Sequence, residues 1–121
     1  MKKGIELIAE ERQRQVDVEG FTPKHDACHV NGELAMAACC YAAPRPLFAM
    51  MKFGKTLSFY DPWPFESESV RGSFDWDKRK EFNKSNVPIN PEQLTIPQRI
   101  DLLIKAGALI AAEIDRIQNI E

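Results

Sequence analysis

The chain has 121 residues and a net charge of −2, enough for one domain with a single core. Its charges are spread evenly, so it carries neither the basic footprint of a protein for long nucleic acid nor an acidic tail. No apolar run approaches a membrane span, the N-terminus has no signal-peptide pattern, and Cys39 and Cys40 among three cysteines are adjacent, which points to a reduced, cytosolic protein.

The first predicted helix runs from about Lys3 to Val18, with Ile5, Ile8, Arg12, Gln15 and Val16 on its inner stripe and Gly20 as its stop. Its second half, Glu10 to Gln15, is polar almost all round. That pattern fits a solvated face with (i, i+4) pairing, or a helix that turns Arg12 or Arg14 inward as a ligand for an anion.

Next comes His25-Asp26-Ala27-Cys28-His29-Val30-Asn31-Gly32-Glu33, which holds both histidines of the chain. On one continuous helix His25, His29 and Glu33 would share a face and could bind zinc. Pro23, Asn31 and Gly32 favour a later helix start, with Asp26 as a cap and His29 as a polar contact. The second helix is expected from His29 or Asn31 to just before Pro44. Its small residues call for close neighbours on more than one face, and a buried Tyr41 needs a partner for its hydroxyl.

Pro44 to Gln93 holds six of the eight prolines, both tryptophans and six of the seven phenylalanines. Proline fixes φ and removes a donor, which leaves little room for long helices or central strands. So many rings are too much apolar surface for a free linker. The block is therefore expected to be an ordered, irregular wall around Trp63-Pro64-Phe65, laid on a helical scaffold. The last helix has a capping box at Thr95 and Gln98. Beyond it Ile100, Leu103, Gly107, Ile110, Ile114 and Ile117 form an a/d seam, and Leu102, Ala106, Leu109 and Ala112 a second stripe. One stripe can face the second helix and the other a copy of the same chain, with Gly107 allowing close approach of another backbone. Glu113 and Asp115 with Glu10 and Glu11 form an acidic group that is either a solvated face or a magnesium site.

The run Gly4 to Gln15, with Glu19-Gly20-Phe21-Thr22, His25-Asp26, His29, Gly32-Glu33-Leu34, Trp63-Pro64-Phe65 and Lys105 to Arg116, resembles small helical accessory proteins of tailed phages and prophages. That resemblance covers about half of the chain and implies a protein of the infected bacterial cytoplasm. In type the chain is similar to phage sponge proteins, small oligomers that hold nucleotide signals of bacterial immunity without cleaving them. More distantly it resembles the all-α nucleoside triphosphate pyrophosphohydrolases of the MazG type, whose Glu-Glu-x-x-Glu and Glu-x-x-Asp motifs bind magnesium. Here Arg14 stands where the third Glu belongs, and Glu113-Ile114-Asp115 is one residue short.

The expected fold is mainly α: one domain over 1–121, a small homo-oligomeric helical bundle (3–43 and 95–119) with a long irregular segment rich in aromatics and proline (44–94). The expected function is sequestration of a small nucleotide without a cofactor. The expected ligand contacts are Arg12, Arg14, His25, His29, Tyr41, Trp63, Phe65, Trp76 and Lys105, with rings stacking on a base and cations meeting phosphate. As alternatives, a magnesium enzyme would use Glu10, Glu11, Glu33 and Glu113, and an accessory module would dock its aromatics on a host protein.

Overall fold

The computed structural model describes residues 1–45, 47–65, 79 and 94–119. In chain order these form α1 (Gly4–Asp17), α2 (Pro23–Asp26), α3 (Glu33–Ala42), β1 (Ala49–Phe53), β2 (Thr56–Tyr60) and α4 (Ile96–Gln118). The protein is thus partly helical, with one small two-stranded sheet among the described residues.

The organising element is α4, about 35 Å long at 1.5 Å per residue. The Thr95 hydroxyl accepts from the Gln98 N–H, the Gln98 side chain accepts from the Thr95 N–H, and Pro97 sits in the first turn. Those contacts satisfy backbone donors that a helix start otherwise leaves unpaired. Leu102, Ala106, Leu109 and Ala112 of α4 meet Leu34, Ala37, Ala38 and Tyr41 of α3 in the core. Four alanines in that contact let the two backbones approach closely. Arg99 of α4 then closes the C-terminus of α3, donating to the carbonyls of Tyr41, Ala42 and Ala43 at 3.2, 2.5 and 3.3 Å.

On another side of α4 lies α1. Here the inner stripe differs from the expected one. Gln15 is buried as expected, but Ile5 is exposed and Glu11, which was not placed on that stripe, is buried. The polar half of α1 faces the protein because its charges find partners there. Gly107 is not met by another backbone either. A Cβ at that position would lie 2.5 Å from Cδ1 of Ile8, so the missing side chain makes room for Ile8 of α1.

Between α1 and α3 the chain turns at Gly20, whose φ of +75° suits glycine. The Thr22 side chain accepts from the His25 N–H and caps the single turn of α2, with Pro23 in its first turn. Asp26 lies within that turn and does not cap the following helix, whose N-cap is Gly32 with no side-chain hydrogen bond. The helix expected from His29 or Asn31 begins only at Glu33, after Gly32 with φ +78°. His25, His29 and Glu33 consequently do not lie on one continuous helix.

The block read as irregular contains an antiparallel hairpin, with Ala49 opposite Tyr60 and Phe53 opposite Thr56. The residues from Leu47 to Tyr60 contain no proline, and Gly54 takes φ +57° in a two-residue loop with Lys55. Proline density averaged over the block concealed a proline-free run long enough for two strands.

Candidate functional site

The Trp63-Pro64-Phe65 run packs against the core and joins a ladder of rings. Phe21 stacks on His25 at 5.2 Å, and His25 meets His29 at 5.1 Å. His29 meets the edge of Phe65 at 5.2 Å, Phe65 meets Trp63 at 5.7 Å, and Trp63 meets Tyr41 at 5.1 Å. The Arg79 guanidinium lies 5.3 Å over the Trp63 ring and pairs with Asp61 at 3.0 Å. Asp61 in turn accepts from the Trp63 N–H. The sequence-selected rings His25, His29, Tyr41, Trp63 and Phe65 are thus brought together, in contact with one another and with Phe21 and Arg79. The cavity that Tyr41, Trp63 and Phe65 bound with Glu11, Arg14, Gln15 and Lys105 is about 30 Å³, room for a single water and not for a base. Trp76 lies outside the described residues.

The three sequence-selected cations are also engaged within the chain. Arg12 donates to the Phe21 carbonyl at 3.1 Å and to Asp26 at 2.8 Å, and Asp26 is almost fully buried. Arg14 clasps Glu11 with two bonds of 2.7 Å and reaches Glu19 at 3.2 Å. Lys105 lies 3.1 Å from Asp101 and 3.7 Å from Glu11. Burial alone would raise the Glu11 carboxyl. The Arg14 hydrogen bonds, the Lys105 and Arg14 charges and Gln15 outweigh it and hold the group below its ordinary value. Arg14 is pushed correspondingly upward, chiefly by its hydrogen bonds to Glu11.

The carboxylates of the magnesium alternative are not gathered at one point. Glu10 pairs with Lys2, Glu11 with Arg14, and Glu113 with Arg116. Glu33 lies 3.4 Å from His29 and accepts from the Asn31 N–H at 2.6 Å. Among the described residues, no three His, Cys, Asp or Glu side chains are grouped to hold a metal ion.

Two further features stand out, and of these the exposed α4 stripe was selected from the sequence, as the a/d seam, whereas the groove and the exposed hairpin were not. A groove of about 590 Å³ lies between α1, α2 and the last turns of α4, with Arg12 and Asp26 on one side and Asp115, Arg116 and Asn119 on the other. Nothing in the local pattern around Arg116 marks it apart from Glu113 three residues before. The second feature is a surface. Met50, Met51, Phe53, Leu57, Phe59 and Tyr60 of the hairpin are all exposed, as are Ile100, Leu103, Ile110, Ile114 and Ile117 of α4.

Compared with protein-family models, with curated proteins and with solved structures, the chain matches none. No helix among the described residues is long and apolar enough to cross a membrane.

Proposed function

We propose that this chain is a non-catalytic, phage-encoded binding protein with a mainly α scaffold, acting as a homo-oligomer in the cytoplasm of the infected bacterium. Its work is done through protein contacts: the α4 stripe takes a second copy, and the hairpin takes a host protein. The observation that carries this proposal is the exposure of the hairpin on both faces. Met50, Leu57 and Phe59 lie on one face of the ribbon, and Met51, Phe53 and Tyr60 on the other. A two-stranded ribbon is marginal alone in water, and a contiguous apolar patch of this kind marks a contact surface. The test is a photo-crosslinker placed at Phe53 or Phe59 in the full chain, expressed in the host. Adducts with one host protein are the expected result; adducts only with itself, or none, overturn the assignment of the hairpin.

Sequestration of a small nucleotide without cleavage is the second reading. One observation favours it: the groove beside α1, α2 and α4 lies in the size range of small-molecule sites.

A further inference from the structure

Among the described groove residues, Arg116 is the cation whose terminal nitrogens make no hydrogen bond within the chain. Its side chain is only 11% exposed, and its Nε–H donates to Glu113 at 2.5 Å, which fixes the plane of the guanidinium. Among the described residues its two terminal nitrogens donate to no acceptor, although the Glu33 carboxylate also acts on its charge. Across the groove, Arg12 is held by Asp26 and the Phe21 carbonyl. Asp115 offers an exposed carboxylate that pairs with no cation, four residues before Asn119 and so on the same side of α4. Pro23, Ala27, Val30 and Ala112 supply apolar surface between these groups.

The charges of this groove nearly cancel. Arg12 is neutralised by Asp26 and Arg116 by Glu113, which leaves Asp115 in the groove and Glu33 near Arg116 as net negative contributions. Such a groove disfavours a polyanion. It suits a ligand with a single negative charge for the Arg116 fork, an apolar planar body, and hydrogen-bond donors for Asp115. We propose that the groove between α1, α2 and α4 binds a small organic monoanion of nucleotide size, with Arg116 as its anion ligand and Asp115 as the group that rejects multiply charged analogues. This rests on the ligand-binding reading above and relocates its site away from the aromatic wall.

The test is calorimetric titration of the full chain with three probes: adenosine 3′,5′-cyclic monophosphate with one charge, ATP with several, and adenosine with none. The cyclic monophosphate should bind most tightly. Arg116→Lys keeps a cation for Glu113 but removes the fork, and should weaken that binding about tenfold to a hundredfold, the range for a charge-assisted hydrogen bond. Asp115→Asn should narrow the gap between ATP and the cyclic monophosphate, a change that a purely structural role of Asp115 would not produce. Binding unchanged in Arg116→Lys but lost in Trp63→Ala would return the ligand to the aromatic wall, overturning this site while sparing the ligand-binding reading. Failure of all three probes to bind at millimolar concentration would overturn both.

Discussion

Glu11 shows how far a single residue can depart from what its neighbours in sequence suggest. Its surroundings, Glu10 to Gln15, have the composition of a wet helix face, yet its side chain is 9% exposed. Its chief partner is local, Arg14 with two bonds of 2.7 Å, and a second charge comes from Lys105, 94 positions away and brought to 3.7 Å only by folding. No local spacing could reveal that second partner. Glu11→Gln removes the charge-assisted bonds but leaves Arg14 with Glu19 and Lys105 with Asp101, so it should destabilise the fold by about 1 kcal/mol in urea unfolding. The ionised carboxylate is favoured in the folded state, since its folded value is depressed. Its stabilisation is therefore complete above the ordinary carboxylate value of 4.5 and is lost as pH falls through the lower folded value. The unfolding midpoint should drop as pH falls below about 4.5, and this slope should be shallower in Glu11→Gln. An equal slope in both proteins would show that other carboxylates govern the acid response.

Among the elements, α4 was the most legible, because a capping box and an apolar repeat are local signals that tertiary structure had no reason to override. Its two stripes were legible too, though not which would face the second helix; the stripe of Leu102, Ala106, Leu109 and Ala112 meets α3. The hairpin was not legible, since the run Leu47 to Tyr60 sat inside a stretch characterised by its prolines. The ladder of rings was legible as a set of aromatics, but not as a set whose members would pack against one another. Two joints between elements give tests. Arg99 reaches the carbonyls of Tyr41, Ala42 and Ala43, so Arg99→Met should cost about 2 kcal/mol of stability by leaving the end of α3 uncapped. Gly107→Ala should gain helix propensity but displace Ile8, which lies 2.5 Å from the added Cβ, for a net loss of about 1 kcal/mol. Pairing it with Ile8→Val should recover part of that loss in a double-mutant cycle. Full additivity of the two changes would show that the α1–α4 contact does not run through this pair.

For the molecule as a whole, the exposed stripe of α4 and the exposed hairpin are two apolar surfaces on a small fold. Light scattering of the full chain should give a mass of at least two chains at micromolar concentration, and Ile110→Lys with Ile114→Lys should reduce it to one. A wild-type monomer would reject self-association through α4. The order of the elements has a separate consequence for how the protein is made. Both α1 and α3 rest on α4, which follows every other described element in the chain. A nascent chain therefore displays the alanine-rich face of α3 and the bare hairpin before their supporting helix has been translated. Native contacts between such distant segments form slowly, and apolar segments waiting for them are open to wrong encounters. Synthesis of this protein should accordingly depend on chaperones far more than its size would suggest, and truncation before Ile96 should yield insoluble chains.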